Sequence, residues 1–259
     1  MVEGLDELKV RWSRRPKGIP KMVTISMDKT GRYYVSLSIK EDIQTLPESK
    51  TMLGIDLGVE NTMTLSTGEK IENPRFLKTY QDQLKVLQQR LSRQEKGSNR
   101  WHKTKQRIAR LHQRIADCRN DFIHKLTTRI IQDNQLIAIE TLQVKNISSS
   151  AKGDKENPGK NVKQKAGLNR SLLDVSFSEI CRQLEYKAKW YGRELIKVDR
   201  FFPSSKLCHC CGHKMEKMPL NIRSWQCPSC GKEHNRDHNA AINILQEALG
   251  LTPVGRIAA

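Results

Sequence analysis

The apolar positions of this chain change period several times, and each change marks an element. In residues 22–39, Tyr33, Val35, Leu37 and Ile39 alternate with Tyr34, Ser36 and Ser38, and MVTIS precedes the turn Asp28-Lys29-Thr30-Gly31. A period of two on either side of a glycine turn predicts a β-hairpin. The spacer EDIQTLPESK leads to a short apolar strand, MLGIDLG (52–58). TMTLST (62–67) follows, and a Thr67-Gly68 turn leads into EKIE, a three-strand meander in outline. From about 76 to 133 the period lengthens to 3.6. Leu84, Leu87 and Leu91 form one stripe, and Ile108, Leu111, Ile115, Phe122, Leu126 and Ile130 form another, separated by Gly97-Ser98-Asn99. That predicts two antiparallel helices joined by a turn. QLIAIETL (135–142) returns to strand. Residues 148–169 are poor in apolar side chains and rich in Lys, Gly and Asn, which predicts a mobile loop. A helix is expected over about 171–191, a strand at ELIKVD (194–199), and a last helix from about 238 to 249, stopping near Gly250.

Periodicity alone therefore supports a mixed α/β sheet. Charge adds a partner. The chain of 259 residues carries 46 Lys+Arg against 28 Asp+Glu, a formal net charge of +18. An excess of that size is the footprint of a protein that binds a polyanion, nucleic acid above all. It concentrates on the two helices: residues 85–129 hold 13 Lys+Arg and 3 Asp+Glu. Arg107, Arg110 and Arg114 are the candidate phosphate contacts there. The first residues, MVEGLDELKV, hold no apolar signal core, and no apolar run approaches membrane-spanning length. A cytoplasmic, nucleoid-associated protein with reduced cysteines is expected, with no membrane partner.

Three acids stand out. Asp56 interrupts an apolar strand in Gly54-Ile55-Asp56-Leu57-Gly58, Glu140 ends the run LIAIE, and Asp237 stands at the start of the final helix. A carboxylate in an apolar strand is costly without a cation or donor, whereas Asp237 could serve simply as an N-cap. Together the three suit two-metal phosphodiester cleavage, in which Mg²⁺ takes hard oxygen ligands from a few carboxylates. GIDLG also resembles the first phosphate loop of the actin and sugar-kinase ATPases. The later Gly-Gly pairs such enzymes need are missing.

Cys208-x-x-Cys211 and Cys227-x-x-Cys230 are separated by 15 residues, and each pair is followed by glycine. This is zinc-ribbon spacing, and it predicts a closed, structural Cys₄ site. Cys210, His209, His213 and His234 are weaker candidate ligands. Cys118 and Cys181 read as small packed hydrophobes. On leaving the second knuckle the chain delivers Asp237 within seven residues.

GIDLG, AIETLQVKN, SSKLCHCCG, CPSCG and NRDHNAAINIL, in that order, resemble the TnpB (OrfB) family of insertion-sequence proteins, relatives of the single-protein CRISPR nucleases. The resemblance runs from about residue 20 to 249. It implies a ribonuclease H-like (RuvC-like) mixed sheet carrying a helical-hairpin insertion and a zinc-ribbon insertion. It also implies a Mg²⁺-dependent DNA endonuclease guided by RNA from the transposon end. The family's catalytic, Mg²⁺-binding acids fall on Asp56, Glu140 and Asp237, and its zinc ligands on Cys208, Cys211, Cys227 and Cys230. The implied domains are a wedge remnant at 1–47, a nuclease domain at 48–205 with its hairpin at 76–133, a zinc ribbon at 206–235, and a last helix and tail at 236–259. The alternative function is a family member that binds nucleic acid without guided cutting.

Overall fold

The computed structural model describes residues 9–13, 15–154, 156–219 and 221–251; the first eight residues of the expected wedge remnant and the tail from 252 lie outside them. In chain order the strands are β1 (Met22–Met27), β2 (Tyr33–Ser38), β3 (Met52–Leu57), β4 (Asn61–Leu65), β5 (Lys70–Glu72), β6 (Leu136–Glu140), β7 (Glu194–Val198), β8 (Ser224–Gln226) and β9 (Glu233–Asn235). The helices are α1 (Phe76–Thr79), α2 (Gln81–Ser92), α3 (Asn99–Asp133), α4 (Val144–Ile147), α5 (Val162–Val175), α6 (Phe177–Tyr191) and α7 (Arg236–Ala248). The chain divides into two compact units, one of residues 1–44 and 80–117, the other of residues 45–79 and 118–259. No described helix is long and apolar enough to cross a membrane.

In the first unit, β1 and β2 pair antiparallel, with Ile25 opposite Val35. Asp28 Oδ1 closes their turn by accepting from the backbone N–H groups of Thr30 (2.7 Å) and Arg32 (3.0 Å), and Gly31 supplies the positive φ. Helices α2 and α3 are joined at the glycine turn the sequence marks, where Ser98 Oγ accepts from Trp101 N–H at 3.2 Å as a cap.

The second unit is built on a mixed sheet of order β5-β4-β3-β6-β7. β3, β4 and β5 form the expected antiparallel meander, and β6 and β7 run parallel to β3. Strand β6 is covered on both faces, which is why LIAI reads as a continuous apolar run rather than an alternation. Leu53, Ile55, Ile137 and Ile139 pack with Ile123, Leu126 and Ile130 of α3, Leu172 of α5 and Ile180 and Leu184 of α6. Leu136, Ala138 and Val198 pack on the other side with Ile244 and Leu245 of α7. Gly54 is what lets α7 come close. A Cβ there would stand 2.1 Å from the Ala241 carbonyl oxygen.

One expectation is overturned. The segment read as a mobile loop over 148–169 turns helical at Val162, and the single helix expected over 171–191 is broken at Ser176 (φ +60°), giving α5 and α6. Polar α5 holds its place by its end. Leu172 and Val175 enter the core, and the buried Asp174 accepts from Arg119 at 2.7 Å and from the Leu77 N–H at 3.0 Å.

Candidate active site

The sheet register brings two of the acids together. β3 and β6 pair in parallel with Gly54 beside Ala138 and Ile55 beside Ile139, so the next residues along, Asp56 and Glu140, end neighbouring strands on one face. Positions two apart on a strand share a face. Asp56 therefore lies on the side of Gly54, the side against which α7 packs. Asp237 belongs to the first turn of that helix.

It is not the cap. Asn235 caps α7, its Oδ1 accepting from His238 N–H at 3.2 Å, which leaves the Asp237 carboxylate free of that duty. The His238 ring nitrogen Nε2 lies 3.1 Å from the Ser66 carbonyl oxygen, a second tie between the helix start and the meander.

Electrostatics couples the three acids. Loss of hydration, then the charges of Asp237 and Glu140, push the Asp56 carboxyl up to about 8, while Arg236 and Arg223 pull it partly back. Burial also raises Glu140. Arg223, from the loop between the two cysteine pairs, reaches Asp237 at 3.5 Å and Glu60 at 3.0 Å. Sequence reasoning does not single out Arg223, because nothing in an isolated basic residue before a β-ladder marks its direction. Among the described residues, the three carboxylates do not close to the spacing of the cysteines. They form a set of hard oxygen donors whose charges are unfavourable together without a cation.

The thiols of Cys208, Cys211, Cys227 and Cys230 do close, all within 4.8 Å of one another. The Cys208–Cys230 and Cys211–Cys227 sulfur separations are 3.7 and 3.6 Å. A tetrahedron with zinc–sulfur bonds of about 2.3 Å has edges of roughly 3.8 Å, so the cluster fits a zinc site. The His213 backbone N–H lowers the Cys211 thiol to about 7, while burial raises Cys208. His234 also approaches the cluster, its Nε2 lying 3.1 Å from Cys208 Sγ. Cys210 is exposed; with Cys208 and His234 it forms a second close group. In the first unit, Arg107, Arg110 and Arg114 lie along α3, and Arg114 also lies over the Tyr80 ring at 5.5 Å.

Comparison with known proteins shows what these features are similar to. Residues 34–151 match the OrfB_IS605 profile, described as "Probable transposase", and residues 177–244 match the "Cas12f1-like, TNB domain" profile. A Streptomyces pristinaespiralis protein named "Putative RNA-guided DNA endonuclease" is 43% identical over 252 residues, covering 96% of this chain and 59% of its own length. Over these stretches the chain resembles the TnpB (OrfB) family. The Escherichia coli K12 "Putative RNA-guided DNA endonuclease InsQ" is 40% identical, over 92% of this chain and 59% of its own length. The chain thus spans about three-fifths of the length of these two relatives. The Sulfoacidibacillus thermotolerans "CRISPR-associated endodeoxyribonuclease Cas12f1" is 24% identical, over 84% of this chain and 50% of its own length. A solved CasPhi-2 (Cas12j) bound to crRNA and phosphorothioate DNA aligns at TM-score 0.34 and 20% identity, covering 65% of this chain and 24% of that one. That likeness is too slight to fix the fold. The TNB match spans both cysteine pairs and the first turns of α7, so the knuckle and the third acid fall within one family element.

Proposed function

We propose that this chain is an RNA-guided, Mg²⁺-dependent DNA endonuclease of the TnpB type, with a ribonuclease H-like (RuvC-like) nuclease domain in its second unit. One observation carries the reading: Asp56 and Glu140 stand beside each other on the paired strands β3 and β6, and burial together with the charges of Asp237 and Glu140 pushes Asp56 up to about 8. Charge that unfavourable is kept where it is used. The strand order, an antiparallel meander followed by two parallel strands, supports the ribonuclease H-like assignment. The names of the two relatives that match over nine-tenths of the chain support guided DNA cleavage.

On this reading Asp56 and Glu140, fixed by the β3–β6 register, and Asp237, fixed by α7, would hold the catalytic Mg²⁺. When bound, Mg²⁺ supplies charge stabilisation to the attacking and departing oxygens of an in-line displacement at phosphorus. The carboxylates orient the site and lose their mutual repulsion to the cation. Arg223 holds Asp237 from the solvent side. The zinc ribbon, about 206–235, closes on its own four thiolates and takes no part in the chemistry. Arg107, Arg110 and Arg114 would contact phosphates of guide RNA or DNA without reading sequence. The hairpin of the first unit, β1 and β2, would belong to a wedge domain.

The test is to express the chain with the RNA of its element's end, purify the complex, sequence the RNA it retains, and offer matching DNA. Cleavage is expected with Mg²⁺ and not without it. Each of Asp56→Ala, Glu140→Ala and Asp237→Ala should lower it by at least about a thousandfold, nearly as far as the triple variant, because groups acting as a unit are not additive. Binding of RNA and DNA with no cleavage under any divalent ion would leave a nucleic-acid-binding protein and refute the nuclease.

A further inference from the structure

Helix α7 carries three polar side chains at positions where packing alone would place apolar ones. Asn239 and Asn243 are each only 1% exposed, and with Gln246 they fall one turn apart along one side of the helix. All three reach a single stretch of chain, residues 204–209, which contains the first zinc-knuckle cysteine. The Asn239 side-chain amide donates to the Leu207 carbonyl at 2.7 Å, and that of Asn243 donates to the carbonyls of Ser204 at 2.8 Å and Leu207 at 2.6 Å. Asn239 Oδ1 accepts from the His209 backbone N–H at 3.2 Å and lies 2.9 Å from its ring Nδ1. Gln246 Nε2 reaches the His209 carbonyl at 3.4 Å. Cys208 lies within this clamped stretch, and Asp237 lies two residues before Asn239.

We infer that Asn239 and Asn243 are positioning residues that key α7, and through it Asp237, to the cysteine knuckle. The inference rests on the reading of Asp237 as a metal-holding acid given above. The physical ground is directionality. Apolar packing of α7 on β3 tolerates small slides and rotations of the helix, but buried amide-to-carbonyl bonds do not, because each broken bond leaves a polar atom unpaired in the interior. A second path runs the same way. From the buried His234, beside Cys208 Sγ, the chain enters the Asn235 cap and Arg236 and so reaches Asp237. The closed thiolate cluster thus serves as the fixed point from which the third acid is aimed.

Two measurements on the full chain test this. The first compares Mn²⁺ affinity at the acid site, read by electron paramagnetic resonance, in the parent, Asn239→Ala, Asn243→Ala and Asp237→Ala, with zinc content measured in each. The asparagine variants should keep their zinc yet bind Mn²⁺ roughly 10- to 100-fold more weakly, the loss seen when partners that orient metal ligands are removed. Where DNA cleavage is followed, kcat should fall with KM for DNA unchanged. Asparagine variants that keep zinc, Mn²⁺ affinity and kcat while Asp237→Ala loses Mn²⁺ binding and cleavage would overturn the clamp and leave the site reading standing. An Asp237→Ala variant that binds Mn²⁺ and cuts as the parent does would overturn both. The second measurement needs no variant: amide hydrogen exchange of the unmodified chain before and after zinc removal. The first turns of α7 should lose protection with the metal, ahead of β3 and β6. Unchanged protection there would sink the proposal even if the asparagine variants failed to fold.

Discussion

At the scale of single residues, Asp56 makes a prediction about pH. Its folded value of about 8 lies far above that of an unfolded aspartate. Between the two, the folded state holds a proton that the unfolded state has released. The contribution to stability is therefore full below about pH 4 and is lost as pH rises through about 8. In Mg²⁺-free buffer, Asp56→Asn should be more stable than the parent by about 2–4 kcal/mol at pH 8.5, with the difference shrinking toward pH 4. Denaturant unfolding at the two pH values reads it, and an equal difference at both would contradict the coupling. Legibility differs among residues for a physical reason. Asp56 and Glu140 are visible because a charge in an apolar strand needs an explanation, and the cysteines because ligand spacing is nearly unambiguous. Asn239 and Asn243 are not. On a helix, asparagines four apart look like a solvated face, and only the chain packed against them reveals that they are buried.

Among elements, the packing of α7 on β3 decides most. Gly54 faces the Ala241 carbonyl, and a methyl group there would lie 2.1 Å from that oxygen and 2.8 Å from Leu245 Cβ. Backbone cannot move aside as a flexible side-chain end can, so Gly54→Ala should destabilise the second unit by roughly 3 kcal/mol or more. It should also weaken cleavage beyond any loss of folded protein, because the helix that is displaced carries Asp237. A melting temperature within about a degree of the parent's would refute the close approach. The strands are legible from their periods, since burial on one or both faces writes itself into the pattern. Helix α5 is not, because VKQKAGLNRSLL presents almost no apolar face and is held by tertiary contacts at its end. The break at Ser176 leaves only a faint trace in the sequence. Ser176 stands three residues before Glu179, a capping-box spacing just ahead of an apolar run, although its hydroxyl turns to the Leu173 carbonyl instead.

For the molecule as a whole, charge is the property that acts at a distance. The net charge of +18 predicts binding to nucleic acid that falls steeply with salt. Replacing Arg107, Arg110 and Arg114 with alanine should weaken RNA and DNA binding for all sequences alike. The slope of log K against log salt should drop by up to about three, one for each phosphate no longer neutralised. A triple variant with the parent's slope would make α3 plain scaffold. The partition into two units is not readable from local pattern, because the first unit joins residues 1–44 to 80–117 across an intervening meander. Proximity of that kind is set by packing between distant segments, on which local periodicity is silent.

The three acids also lie far apart along the chain, on β3, β6 and α7, and this bears on synthesis. A ribosome releases Asp56 and Glu140 well before it reaches Asp237. At roughly 5–20 residues per second, the interval from Glu140 to Asp237 lasts several seconds. Throughout that time the emerging sheet holds two of its three carboxylates and lacks the helix that covers their face. On the proposed reading, such a centre would stay unarmed on the ribosome and become competent only when α7 docks on β3.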